Sequence, residues 1–213
     1  MSKKLHLLLP LVFAAAVFSN GAEPALQWSF EDNPLLGAWE GKTGKAESGP
    51  RPPRYPEFKQ ANQAGAFTGH EGWIVVKDHE RGGTTNIRFG PGDIFAFEAW
   101  VKFRSIAKGN IAYLFGKGRS PKHGEKLGEN NQNYSIRFKG TGQGGKLGFL
   151  FTSHDPDTDK IEWHRWWSKA VVPASGWHHV ALQYTFGETR SLRAYIDGRP
   201  APGVWDLGGD TDL

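Results

Sequence analysis

The sequence predicts an all-β fold in which two antiparallel sheets pack as a sandwich. Along the clearest strand, apolar side chains recur at every second position, which places Phe95, Phe97, Ala99, Val101 and Phe103 on one face. Turn-forming residues are abundant, since 28 glycines and 13 prolines occur among the 213 residues. No helical periodicity longer than a turn or two interrupts this pattern. Together these observations indicate many short strands with frequent reversals.

The N-terminal part is predicted to be one strand followed by a long surface loop. The segment ALQWSF, Ala25–Phe30, has the composition of a first strand. Residues 31–62 are rich in glycine, proline and charge, and prolines at this density lack the amide donors of a central strand. We expect an ordered loop rather than a disordered linker, because Trp39, Tyr55 and Phe58 are available to anchor it on the sandwich.

The remaining segments predict a series of strands. Trp100 lies on the polar side of its strand, so we expect it to pack beneath a loop or to stay partly exposed. Asp197-Gly198 predicts a type I′ hairpin turn, because both central positions of that turn need positive φ. The segment PGVWDL, residues 202–207, is expected to be the returning strand. The other strands are predicted at residues 65–69, 73–77, 110–118, 133–140, 146–151, 161–167, 176–186 and 192–196.

Residues 1–22 have the pattern of a signal peptide, because Lys3 and Lys4 precede an apolar run, Leu5–Phe18, that is too short for a comfortable membrane span. We therefore expect residues 23–213 to form one secreted or periplasmic domain with no membrane span after cleavage; an uncleaved anchor is the alternative. Cysteine is absent, which excludes disulfides, thiolate metal sites and thiol catalysis. The net charge of +4 includes no basic run, which argues against nucleic-acid binding.

The order of the later segments resembles a known family. FAFEAWVKF, AYLFGKG, NYSIRF, GKLGFLF, SGWHHVALQY and LRAYIDGRP follow one another as in the LamG-like (laminin G, concanavalin A-like) jelly-roll domains. The resemblance spans about Leu26–Trp205, and GWHHVAL followed by YIDGRP is its most specific part. It implies a jelly-roll β-sandwich that mostly binds glycans or proteins and that is catalytic in some relatives.

The chain departs from the family pattern at its end. Such domains usually finish with a strand resembling F-x-G-x-I-D-E-V-x-I-Y, which pairs near the first strand, whereas this chain stops at WDLGGDTDL. We therefore expect a C-terminally incomplete jelly roll, the N-terminal part of a larger protein of the kind found among exported bacterial proteins. Its first strand would then lack a neighbour, which predicts poor solubility of these residues alone.

Catalytic and metal sites are weakly indicated. Glucanases of this fold carry a motif resembling E-x-D-x-x-E, which supplies paired carboxylates, and this sequence lacks it. Asp155, Asp157 and Asp159 have alternate spacing but enclose Pro156, which favours a turn. Calcium is the cofactor that this acidic segment would suit, because calcium takes carboxylate oxygens. The glycine and distal glutamate of an EF-hand loop are absent, so a solvated acidic turn is the competing interpretation.

The segment IEWHRWW holds the predicted ligand-binding residues, Trp163, His164, Arg165 and Trp166. Trp163, Arg165 and Trp167 alternate with His164 and Trp166, so both faces carry tryptophan and one indole is expected near the surface. Exposed aromatic rings stack on sugars and also mark protein interfaces. The alternative is that an overlying loop covers them.

These observations lead to a functional hypothesis. His178 and His179 are adjacent on a predicted strand, so they point to opposite faces and are interpreted as structural residues. We expect an exported, non-catalytic module that recognises a glycan or an extracellular protein. A carbohydrate-active hydrolase of the same fold and a purely structural spacer are the alternatives, and no oligomeric state is predicted.

Overall fold

A computed structural model describes residues 26–31, 37–41, 46–67, 72–77, 87–118, 132–155, 157–158 and 160–208. The predicted signal peptide lies outside these residues. The strands within them are β1 (Ala38–Gly41), β2 (Ala46–Ser48), β3 (Gln63–Gly65), β4 (Gly72–Val75), β5 (Ile94–Val101), β6 (Ile111–Gly118), β7 (Gln132–Gly140), β8 (Gly144–Asp155), β9 (Lys160–Pro173), β10 (His178–Thr185), β11 (Arg193–Ile196), β12 (Arg199–Pro200) and β13 (Gly203–Leu207). A 3₁₀ turn, Thr189–Ser191, joins β10 to β11.

Two antiparallel sheets form the body of the described chain. The larger sheet has the strand order β13-β9-β8-β7-β6, and the smaller one has the order β12-β11-β10-β5. The strands β1 and β4 pair separately, as do β2 and β3. The predicted all-β, two-sheet antiparallel fold is confirmed.

The core lies between the two sheets. Each sheet contributes the apolar face that the alternation predicts, with Phe149 of β8 stacked on Phe95 of β5 at 5.5 Å between ring centroids. Leu182 and Tyr184 of β10 are fully buried against them. Because every second side chain of each strand enters this core, the remaining side chains of both sheets point outward.

The turn at the end of β11 has the predicted form, but the strand after it does not. Asp197 and Gly198 both have positive φ, 50° and 73°, as a type I′ turn requires. The strand that returns from this turn is β12, Arg199–Pro200. The segment predicted to return, 202–207, forms β13 and pairs with β9 of the other sheet. That part of the prediction was wrong, and the crossover completes the edge of the larger sheet.

The predicted first strand was also wrong for the residues that the structure describes. Residues 26–31 have no strand, although their aromatic side chains pack as a strand's would. Phe30 is buried in the core cluster, and Trp28 contacts Phe115 edge-on at 6.0 Å. Burial therefore holds this segment on the sandwich without sheet pairing.

Residues 49–62 of the predicted proline-rich loop contain no strand, and β1 and β2 precede them. This stretch, the proline-rich loop, lies against the outward face of the smaller sheet. Tyr55 and Phe58 each contact Trp100 at 5.3 Å between ring centroids. The Tyr55 hydroxyl also donates to the carbonyl of Trp177 at 3.0 Å. Trp100 thus packs beneath a loop, one of the two outcomes expected for it.

Candidate functional site

The outward face of the larger sheet carries one row of side-chain positions that crosses all five strands. Strand register aligns these positions because their neighbours Ile136, Phe149 and Trp166 point into the core. From β6 to β13 the row is Tyr113, Arg137, Gly148, Trp167 and Val204. We call these five residues the cross-strand row. Aromatic and basic groups meet along this row.

Gly148 makes room for Trp167 in the cross-strand row. A Cβ atom added at Gly148 would lie 2.2 Å from Cζ3 of Trp167, so the indole lies flat against the β8 backbone. The ring then supports two cations, because the Arg137 guanidinium is 5.2 Å and the Lys139 ammonium 5.7 Å from its centroid. Trp167 is 6% exposed, so it serves as a platform for these cations rather than as a free stacking surface.

A bulge in β9 sets the position of Trp167. Lys146 pairs with Val171 and Gly148 with Trp167, so three residues of β9 oppose one of β8. The Ser168 hydroxyl fills this irregularity, since it accepts from the amide of Leu147 at 2.9 Å and donates to the carbonyl of Ala170 at 2.7 Å. The displaced backbone amide is thereby satisfied.

Three buried polar atoms on this face have no hydrogen-bond partner among the described residues. They are Oγ of Ser135, Nε of Arg137 and Nε1 of Trp167. Burial lowers the pKa of Arg137, and the nearby Tyr113 hydroxyl opposes that shift. Because arginine stays protonated in proteins, the guanidinium is a buried cation with an unused donor. Buried polar groups are normally hydrogen-bonded, so these three atoms depart from the usual pattern.

An ion pair links β9 to β13 beside the row. Arg165 donates from Nε to Oδ1 of Asp206 at 2.7 Å and from Nη2 to Oδ2 at 2.9 Å. Asp206 raises the pKa of Arg165 through these bonds. This two-point geometry fixes both side chains and occupies both carboxylate oxygens of Asp206.

Apolar side chains surround the basic centre of this face. Several large hydrophobic side chains that are exposed in the described part of the chain point outward from this sheet, among them Ile111, Tyr113, Val171 and Val204. Tyr113 is 46% exposed and Val204 is 49% exposed. The face is therefore accessible at its edges, with an aromatic ring available beside Arg137.

The structure separates the four residues predicted to bind a ligand. Trp163 and Arg165 point outward, whereas His164 and Trp166 point into the core. Trp166 belongs to the core cluster, and the His164 ring stacks on Phe151 at 4.4 Å between centroids. Neither inward side chain reaches a ligand in solvent, so the predicted set narrows to Trp163 and Arg165. The proline-rich loop covers the other sheet, not this segment.

His164 is held as a neutral ring. Its Nδ1 faces the carbonyl of Gly208, so Nδ1 donates, and Nε2 then accepts from the Ser153 hydroxyl at 2.7 Å. Burial lowers the pKa of His164, while the Gly208 carbonyl acts in the opposite direction. The arrangement is structural, since it ties the end of β13 to β8 and β9.

Acid is expected to destabilise the fold through His164. Below about pH 6.5 the unfolded chain binds a proton at this ring, whereas the folded chain binds it only at lower pH. The free energy of unfolding is therefore not reduced by this group above pH 6.5. On acidification below that pH it falls by up to about 1.4 kcal/mol per pH unit. Urea denaturation at pH 7.5, 6.5 and 5.5 measures this slope. His164→Gln keeps one donor and one acceptor, and equal slopes in both proteins would exclude His164 as the source.

The acidic segment that was considered for calcium forms a capped turn. Asp155 accepts from the Thr158 hydroxyl at 2.5 Å and from the amide of Asp157 at 3.0 Å. The Thr158 bond is the main cause of the lowered pKa of Asp155. Asp159 lies outside the described residues, and within them no three acidic or imidazole groups converge on one point. Calcium binding stays a prediction.

The outward face of the smaller sheet is covered rather than open. His178 lies between Asp197, at 2.7 Å, and the carbonyl of Ser175, at 2.8 Å. His179 points the other way, as predicted, and its Nε2 is 3.5 Å from Oε2 of Glu98. The His179 ring lies 5.5 Å from the Trp100 ring between centroids, next to the residues on which the proline-rich loop packs.

Sequence reasoning did not select Arg137, Trp167 or Ser135 as site residues. Trp167 lies in the quoted segment IEWHRWW, and Arg137 is the one charged residue between Tyr134 and Phe138. A basic residue at an outward position of an otherwise apolar strand was the available signal. The alignment of these residues depends on strand register, which the sequence alone does not reveal.

Comparison with known proteins gives one family match. A laminin G-like family model, described as the concanavalin A-like lectin/glucanases superfamily, matches residues 78–210. No curated protein and no solved structure matches the chain. The part of the chain that the structure describes contains no helix long and apolar enough to cross a membrane.

Proposed function

The chain belongs to the concanavalin A-like lectin/glucanase superfamily, and from this premise we propose that it is an exported, non-catalytic module that binds a glycan on the outward face of its larger sheet. The observation that carries the proposal is the cross-strand row, with its unpartnered buried polar atoms beside an exposed aromatic ring. Lectin-like modules bind through such preformed combinations of aromatic surface and fixed polar groups.

Tyr113 supplies the surface on which a sugar ring stacks. Its ring is exposed, and its register partner Arg137 places donors beside it. Hydroxyls of a stacked sugar lie within reach of these donors, so apolar and polar recognition act at the same point. Export is supported by the positive and apolar pattern of residues 1–22.

The non-catalytic role is supported by the state of Asp206. A glycosidase needs one free carboxylate and a second one about 5–9.5 Å away. Asp206 is the acidic side chain seen on this face within the described strands, and Arg165 holds both of its oxygens. That pairing suits a positioning role better than attack on a glycosidic bond.

Tyr113→Ala is expected to weaken glycan binding by about tenfold and to leave the melting temperature nearly unchanged, because the ring is exposed and contributes contact area rather than core packing. Affinity electrophoresis of the full-length chain in gels containing defined neutral and acidic polysaccharides measures the effect. Tyr195→Ala is the matched control, since this tyrosine lies on the outward side of the smaller sheet. Retention in no gel, or equal retention of both variants, contradicts the proposal.

A further inference from the structure

We infer that the glycan recognised by this face is anionic and carries carboxylate or sulfate groups, an inference that rests on the proposed function. The outward face holds four basic side chains in its described strands, Arg137, Lys139, Lys146 and Arg165. The acidic side chain there, Asp206, is already paired with Arg165. Three cations therefore lie on this face without an acidic partner among the described residues.

The positions of the lysines add to this argument. Lys139 and Lys146 are direct register partners on neighbouring strands, and both point outward. Like charges directly opposite one another destabilise an antiparallel sheet. Arg137 is two residues from Lys139 on the same face, so it adds to the repulsion. An anion bound between these groups relieves it, which gives the face a net preference for negative ligands.

The unpartnered atoms specify the chemistry of the ligand atoms. Nε of Arg137 and Nε1 of Trp167 can only donate hydrogen bonds, and the Ser135 hydroxyl can donate as well. A ligand that satisfies these donors must present acceptor oxygens. Carboxylate and sulfate groups do so and also carry the charge, whereas a neutral sugar presents hydroxyls that donate as often as they accept.

The shape of the face favours a polysaccharide over an acidic peptide. Five strands at about 4.8 Å spacing make the row about 19 Å long, which matches several linked sugars. Tyr113 lies at one end of this row and offers its exposed ring beside the basic centre. A repeated acidic sugar can place a ring on Tyr113 and an anionic group at Arg137 in one binding mode.

The test compares ligands that differ only in charge. Full-length chain is titrated with polygalacturonate and with fully methyl-esterified polygalacturonate, and separately with dextran sulfate and dextran, at low salt and at 0.5 M added salt. We expect at least one charged polymer to bind about tenfold or more tightly than its neutral counterpart, with most of that difference lost at high salt. The carboxylate and sulfate arms identify which group is recognised.

Variants connect the charge preference to this face. The double substitution Lys139→Gln with Lys146→Gln is expected to weaken binding of the charged polymer by about tenfold. The control substitution Lys59→Gln with Arg190→Gln removes the same charge from exposed positions elsewhere on the chain. It should change the affinity for the charged polymer little. Equal binding of charged and neutral polymers overturns the inference and leaves glycan binding intact. If the chain binds poly-glutamate and none of the polysaccharides, both the proposed glycan binding and the inferred preference for anionic glycans are overturned.

Discussion

Replacing Phe149 with alanine is expected to lower the free energy of unfolding by about 3–5 kcal/mol, the range observed for fully buried aromatic residues. Phe149 is fully buried at the centre of β8. Its ring contacts Phe95 of β5 at 5.5 Å and Tyr184 of β10 at 5.4 Å, so it bridges the two sheets. The cavity left by alanine would therefore open between the sheets, where neither backbone can move to close it.

Urea denaturation followed by tryptophan fluorescence measures the loss, with Ile94→Ala as the control because Ile94 is 58% exposed. Phe149→Leu fills part of the cavity and is expected to lose less than the alanine variant. A loss below about 1 kcal/mol for Phe149→Ala would show that the sheets do not pack through this residue.

The faces of the strands could be predicted because alternation is a local property. The apolar sets beginning at Phe95, Tyr134, Leu147 and Val180 all point into the core as expected. The partners of strands could not be predicted in the same way. The segment 202–207 pairs with β9 of the opposite sheet, and this pairing depends on contacts far apart in sequence.

The site was harder to predict than the fold. Both faces of β9 carry tryptophan, so composition did not reveal which tryptophan points outward from the sandwich. The strand register determines the direction of each tryptophan, because Trp166 lies opposite the core residue Phe149 and Trp167 lies opposite Gly148. The β-bulge at Ser168 shifts this register, and bulges leave little trace in a single sequence. Arg137 stands out as a candidate site residue only through its contact with Trp167, which lies two strands away.

The two outward faces of the sandwich differ in a way that bears on function. The proline-rich loop covers Trp100 on the smaller sheet. Across the larger sheet, Tyr113 and Val204 stay exposed. The loop therefore covers the aromatic face of the smaller sheet, whereas the larger sheet keeps exposed side chains at its edges, which supports placing the proposed glycan site on the larger sheet.

Trp100→Ala is expected to release the proline-rich loop, because Trp100 is the side chain that both Tyr55 and Phe58 contact. The loss of unfolding free energy should be about 3–5 kcal/mol if loop and sandwich unfold together. Trypsin reports the release directly, since Arg54 and Lys59 lie in this loop and neither precedes a proline. Cleavage at these sites should accelerate before the sandwich unfolds.

Two further variants separate loop docking from general destabilisation. Tyr55→Phe removes only the hydrogen bonds with the Trp177 backbone, so its cost should be about 0.5–1.5 kcal/mol with little added cleavage. Phe58→Ala should release the loop as Trp100→Ala does, and the double variant should cost less than the sum of the two, because both remove the same contact. Strict additivity would mean that Phe58 and Trp100 act independently. In that case the hydrogen bonds of Arg51 and Asn62 within the loop mainly fix its conformation. The loop would then cover the smaller sheet because of this conformation rather than because its aromatic rings pack on Trp100.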